Sequence, residues 1–217
     1  RIAFDAGHLH EPGDRVAGQS EVVLHRDLGG VLHLGRAAAE GLLEGGVLPV
    51  IKHIPGHGRS LVDSHKALPV IDADIETLAS TDFEPFRQLA DMPMAMTAHV
   101  VYTSLDPDNP ATTSARVIGE VIRTQIGFDG LLMTDGLSMH ALSGDFSART
   151  KASLSAGCDV VLHCNGLLDE MRPVAEAAPQ LSGKALERSC PVTATIFTLP
   201  ALWCSRVSEA VSTIMGR

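Results

Sequence analysis

The chain has 217 residues, 45% hydrophobic and 20% charged, which is the composition of a globular domain rather than of a disordered or fibrous chain. A formal charge of −9 argues against a general nucleic-acid or anionic-membrane binder, because either needs a basic face to displace counterions. A neutral or polar small substrate fits better. Cys158, Cys164, Cys190 and Cys204 form no CxxC pair and no regular spacing, so no disulfide framework is indicated and a reducing cytoplasm is the natural setting. No apolar run reaches the ~20 residues of a membrane helix, and the first residues lack a charged-then-apolar signal pattern. The chain opens at Arg1 without Met, which leaves room for a lost upstream signal or domain.

In chain order, the apolar pattern predicts a helix over 34–44 stopped by Gly45-Gly46, then a buried strand from Val47 to His53. The stretch from Asp74 to Ala90 is helical in pattern but carries Pro85, which predicts a kink or two short helices. A second strand runs from Met94 to His99. A helix over 114–126 follows, with Ser114 as N-cap, Val117, Ile118, Val121 and Ile122 on one face, and Gly127 at its end. Strands from Leu131 to Asp135 and from Asp159 to Asn165 flank a helix over 147–156 that Gly157 terminates. Beyond Arg188 the character changes: Ser189 to Pro200 is rich in β-forming residues and uncharged, and Ala201 to Met215 has the pattern of one amphipathic helix.

Helix and strand alternate, with strand ends roughly 30 to 50 residues apart, as the βα units of a parallel sheet require. Lys52, His99, Asp135 and Asn165 all fall at carboxyl ends of strands, which in a (β/α)₈ barrel is the catalytic face. A doubly wound sheet would place a Gly-rich phosphate loop after its first strand, and no GxGxxG occurs. The expected fold is therefore α/β, a TIM barrel. A full barrel takes ~250 residues, so this one is expected to be incomplete, with residues 1–188 forming its C-terminal portion and 189–217 a divergent tail. Open barrel edges would invite self-association.

Two segments carry the candidate chemistry. In IKHIPGHGRSLVDSH, residues 51–65, a strand delivers Lys52 and His53 into a Pro-Gly-His-Gly turn, followed by Asp63 and His65. Glycine and proline compact such a loop, and a His beside a carboxylate can serve as general acid and base. The same residues could instead be a polar surface loop, or a zinc site using His53, His57 and His65. In the second segment, 121–138, a buried strand ends in Thr134-Asp135. A carboxylate leaving a buried strand needs partners or a task, unless Asp135 simply caps a following helix.

Together, KHIPGHGRSLVDSH and GFDGLLMTDGLSM closely resemble glycoside hydrolase family 3, specifically its bacterial cytoplasmic β-N-acetylhexosaminidase branch, which acts in cell-wall recycling. The resemblance runs from about Gly41 to Arg188 and includes MAMTAHVVYTSLDPDNPATTS. It implies a retaining exo-β-N-acetylglucosaminidase acting on muropeptide-like glycosides without cofactor or metal. In that role Asp135 is the nucleophile, His65 the acid/base and Asp63 its dyad partner, while Lys52 and His53 bind sugar hydroxyls. Two other outcomes stay open: an inactive or sugar-binding fragment of the fold, and a family 3 β-glucosidase.

Three departures stand out. An N-terminal block of barrel strands with sugar-binding Asp and Arg is missing. The position of a family Arg falls at Val22, with Arg15 nearby at the wrong offset. The usual Asp-Asp-Leu-Ser-Met reads Asp135-Gly136-Leu137-Ser138-Met139.

Overall fold

The computed structural model describes residues 28–60, 62, 64 and 67–198. Helix α1 (Leu28–Glu44) leads into strand β1 (Val50–Ile54). Strand β2 (Val70–Ile71) and helices α2 (Ile75–Ser80) and α3 (Glu84–Gln88) follow, then β3 (Met94–Thr97) and β4 (Val101–Tyr102). The second half holds β5 (Leu131–Gly136), α4 (Phe146–Ala156), β6 (Val160–Leu162), α5 (Leu168–Ala177) and α6 (Gly183–Thr198). Strands β1, β3, β5 and β6 form one parallel sheet in that order, and β2 pairs parallel with β4. An α/β chain whose main-sheet strands follow one another in sequence order is the arrangement of part of a (β/α) barrel.

Local chemistry explains most element boundaries. Asp74 caps α2 by accepting from the Thr77 amide at 2.7 Å, and Pro85 stands in the first turn of α3, where its missing N–H costs nothing. The expected division of 74–90 into two short helices follows from these two residues. Asp145 caps α4 through the Ala148 amide, and Gly157 ends that helix at φ 116°, a conformation that favours glycine.

The helix after Ser114 differs from expectation in its winding. Ser114 Oγ does accept from the Val117 amide, and Val117, Ile118, Val121 and Ile122 are buried, but Val117–Gln125 is a π-helix. The Ile126 amide donates to Val121 O, five residues back. Pairs of apolar residues four apart share a face at either 3.6 or 4.4 residues per turn, so the pattern locates the helix without fixing its pitch.

The main core lies between the sheet and these helices. Ile51, Ile54, Leu132, Phe83, Phe86, Phe128 and Tyr102 are fully or almost fully buried within it. Burying one such side chain stabilises the fold by roughly 1.5–3 kcal/mol. Phe83 meets Tyr102 edge to face, with ring centroids 6.4 Å apart.

The stretch from Ser189 onward is helical as far as Thr198, not extended. Tertiary anchors override its β-branched composition. Arg188 bonds Asp129 Oδ1 at 2.7 Å and Asp159 Oδ1 at 3.2 Å, and Val192 buries its side chain, so the helix starting at Gly183 continues through position 189. The helix expected over 201–215 lies outside the described residues, as do Arg15 and Val22.

Candidate active site

The polar strand ends gather on one face. Asp135 stands at the carboxyl end of β5, and His53, at the end of β1, places Nε2 3.3 Å from Asp135 Oδ2. The Gly136 amide donates to Asp135 Oδ1 at 2.7 Å. Asp135 caps no helix: β5 runs on through Gly136 into turns, and the next helix is capped by Asp145. The helix-cap alternative is thereby overturned.

Two interruptions of the sheet ladder produce this meeting. In the β1–β3 pairing, Lys52 faces Met96 and Ile54 faces Thr97, which leaves His53 as an extra residue in β1. In the β5–β6 pairing the register slips between Met133 and Gly136, across Thr134 and Asp135. Bulges re-aim side chains that regular pleating would alternate between faces. Buried Thr134 serves the second slip directly, because its Oγ1 accepts the Leu162 amide at 3.0 Å.

The turn after β1 is pinned rather than loose. Tyr102 OH donates to Gly56 O, and Arg59 bonds Asp82 Oδ2 at 2.6 Å and Thr81 Oγ1 at 2.9 Å. Gly56 adopts φ 149° with an added Cβ only 2.9 Å from Asp82 Cβ, so a side chain would be strained and would clash. His57, held by this turn, has its ring centroid 5.8 Å from that of His53. Pro55 and Gly56 are buried and His53 and His57 half-buried, which overturns the surface-loop alternative for this pair.

Electrostatics set the charge state. Burial pushes the His53 imidazole down to about 4, against the pull of Asp135 and with further lowering by Lys52, His57 and His99. At neutral pH His53 is therefore an uncharged group beside a carboxylate. Burial likewise lowers His99, two residues past the end of β3, despite the upward influence of Asp135. Cys164, following β6, lies near enough to Asp135 for burial and that charge together to raise its thiol.

The loop after the carboxylate is clamped from α4. Arg149 Nη1 donates to Leu137 O at 2.6 Å and Met139 O at 3.3 Å, and Nε donates to Gly144 O at 2.9 Å. Ser138 Oγ reaches Asn165 Oδ1 at 3.0 Å, and Asn165 and His163 both contact Glu170.

Of the residues singled out from sequence, Lys52, His53 and Asp135 are brought to one face of the sheet. Asp63 and His65 lie outside the described residues, and with His65 goes the third histidine of the zinc alternative. The sequence motifs assign no role to His99, Arg149 or Cys164. Position at a strand's carboxyl end was a usable signal for His99 and, more weakly, for Cys164, whereas nothing local marks Arg149 as the clamp.

A parallel βα domain that collects a carboxylate, imidazoles and a lysine at the carboxyl ends of its strands has the active-face arrangement of (β/α)-barrel enzymes. The chain belongs to glycosyl hydrolase family 3, whose N-terminal domain matches residues 16–189. It is 42% identical over 168 residues to a beta-hexosaminidase of Methylobacillus flagellatus, covering 76% of this chain and 46% of that one. It is 36% identical over 208 residues to a beta-hexosaminidase of Aromatoleum aromaticum, covering 91% and 56%. Among solved structures, a family 3 β-N-acetylglucosaminidase from a Paenibacillus species superposes with a TM-score of 0.71 at 28% identity, covering 76% of this chain and 34% of that one. NagZ from Neisseria gonorrhoeae, solved with N-trifluoroacetyl-D-glucosamine, gives 0.63 at 33% identity, covering 72% and 45%. The chain spans about half the length of the curated relatives it matches.

Proposed function

We propose that this chain carries the nucleophile of a retaining exo-β-N-acetylglucosaminidase that removes terminal GlcNAc from muropeptide-like glycosides in cytoplasmic peptidoglycan recycling. The single observation behind the reading is Asp135: a carboxylate at a bulge on a barrel strand's carboxyl end, held by the Gly136 amide on one oxygen and faced by uncharged His53 on the other. The names of the relatives, beta-hexosaminidase and β-N-acetylglucosaminidase, support the sugar class.

In the proposed reaction Asp135 attacks the anomeric carbon while the bond to the aglycone oxygen breaks and His65 gives that oxygen its proton. The product is a glycosyl ester on Asp135. Water then attacks the same carbon, His65 takes its proton, and Asp135 is released, so two inversions give retention. Asp63 orients the His65 ring, and Lys52 and His53 bind sugar hydroxyls. An imidazole acid suits this site because it adds no second anion beside Asp135. His53 serves the same economy, offering Nε2 to the carboxylate without neutralising it.

The test is hydrolysis of a chromogenic β-GlcNAc glycoside by purified protein, with Asp135→Ala and His65→Ala beside it. Turnover that disappears in Asp135→Ala and falls steeply in His65→Ala supports the reading. No turnover by well-folded protein refutes it and favours a sugar-binding fragment, and a faster rate on the β-glucoside assigns a glucosidase instead.

A further inference from the structure

Three buried side chains behind the site form a directed chain of hydrogen bonds. Thr97 Oγ1 lies 2.8 Å from Thr112 Oγ1, which lies 2.7 Å from His99 Nδ1, and His99 Nε2 lies 3.2 Å from Gly136 O. All three residues are at most 1% exposed, so water does not substitute for a missing partner.

The carbonyl of Gly136 can only accept, so Nε2 must carry a proton. In a neutral ring Nδ1 then holds a lone pair, and the Thr112 hydroxyl is the donor that meets it. Thr97 donates in turn to Thr112, giving one order of donation: Thr97 to Thr112 to His99 to Gly136. Turning Thr112 toward Ala98 O, 3.1 Å away, would put the proton on Nδ1 and leave two lone pairs facing each other across the contact with Gly136. Burial, which depresses the basicity of this ring, opposes carrying both protons.

Gly136 is where this brace matters. Its amide holds Asp135 Oδ1, and its carbonyl accepts from His99 and from the Met139 amide at 3.1 Å. A glycine has the softest backbone of any residue, so its flanking peptides need outside constraint to keep the carboxylate in one rotamer. We infer that His99 is a positioning residue: its Nε2–H anchors the Gly136 carbonyl, in the peptide next to the one whose amide holds Asp135, while that carbonyl fixes the ring's tautomer and the Thr97–Thr112 hydroxyl pair satisfies Nδ1. The inference rests on the reading of Asp135 as nucleophile for its consequence in rate, but not for the tautomer itself.

The experiment has two arms. Ring nitrogen NMR of the 15N-labelled protein at pH 7 is expected to show His99 protonated on Nε2 alone, and to keep that tautomer in Thr112→Val, where the Gly136 carbonyl still accepts. A ring protonated on Nδ1 alone, or on both nitrogens, overturns the inference, and this arm needs no catalysis. In the second arm, with the chromogenic glycoside, His99→Ala is expected to lower kcat roughly tenfold or more with KM nearly unchanged, because misorientation costs rate rather than binding. His99→Gln, whose amide can still donate to the Gly136 carbonyl, is expected to recover much of that loss. Equal losses in both variants, or a loss confined to KM, overturn the positioning role. If the wild-type protein turns over no substrate, the hydrolase reading fails and the ring spectrum still decides the hydrogen-bond order. Should His99→Ala not fold, the wild-type and Thr112→Val spectra decide alone.

Discussion

His53 Nε2 and Asp135 Oδ2 stand 3.3 Å apart, joining the tip of β1 to the tip of β5 across the intervening β3. The imidazole is uncharged at neutral pH, so it offers a polarised N–H edge without cancelling the carboxylate's charge. Replacing His53 by Ala is expected to lower kcat/KM on a β-GlcNAc glycoside by roughly 10²-fold, the scale of losing one preorganised polar contact at a reacting centre. Steady-state kinetics check it, and a change of less than about threefold would show the contact to be incidental.

Acid should destabilise the fold before the carboxylates titrate. Because the His53 value in the folded state, about 4, lies below the 6.5 of an ordinary imidazole, the unfolded chain binds the proton first. Stability is expected to be full above pH 6.5, to decline as pH falls toward 4, and then to lose nothing more from this group. The loss from His53 is on the order of 3 kcal/mol. His99, also lowered by burial, acts in the same direction. Urea midpoints measured across this window check the slope, which should flatten in His53→Gln.

Much of this was legible in the sequence, and the reasons are specific. Val117, Ile118, Val121 and Ile122 marked a buried helical face, Pro85 and Asp74 marked a break, and short apolar runs ending in Lys52, His99 and Asp135 marked strand tips. What escaped was set by neighbours. The extra residue at His53 exists only relative to β3, and the slip at Thr134 and Asp135 only relative to β6. No local pattern encodes a register shift, although these two bring the carboxylate and imidazole together. The β-forming composition after Arg188 misled for a related reason: Asp129 and Asp159, far away in the chain, hold Arg188 and with it the helix.

Asp159 should be the most costly single acid to remove from the opposite end of the sheet. Its side chain is 3% exposed and accepts from Arg123 Nη2 at 2.8 Å, Arg188 Nη1 at 3.2 Å and the Leu132 amide at 2.8 Å. Asp159→Ala leaves the half-buried Arg123 guanidinium without its counterion and is expected to cost about 3–5 kcal/mol, read from denaturant unfolding. Asp159→Asn keeps an acceptor for Leu132 and should cost clearly less.

Thiol chemistry offers a probe of the same face. Cys164 Sγ would lie 3.5 Å from a Cβ placed on Gly136, whereas buried Cys158 has its thiol raised to about 12. A maleimide is expected to label Cys164 and spare Cys158 in folded protein, with turnover of the glycoside falling in step with Cys164 labelling. Peptide mapping and residual activity check both halves, and Cys164→Ser should protect the activity.

The most direct measurement is to trap the glycosyl ester. Incubation with an activated 5-fluoro-GlcNAc donor, which slows the second displacement, followed by proteolysis and mass spectrometry, should place one sugar on the peptide containing Asp135 and none in Asp135→Asn. A sugar carried by a different carboxylate, or hydrolysis at full rate with no covalent adduct at any time, would contradict the assignment of Asp135 as nucleophile.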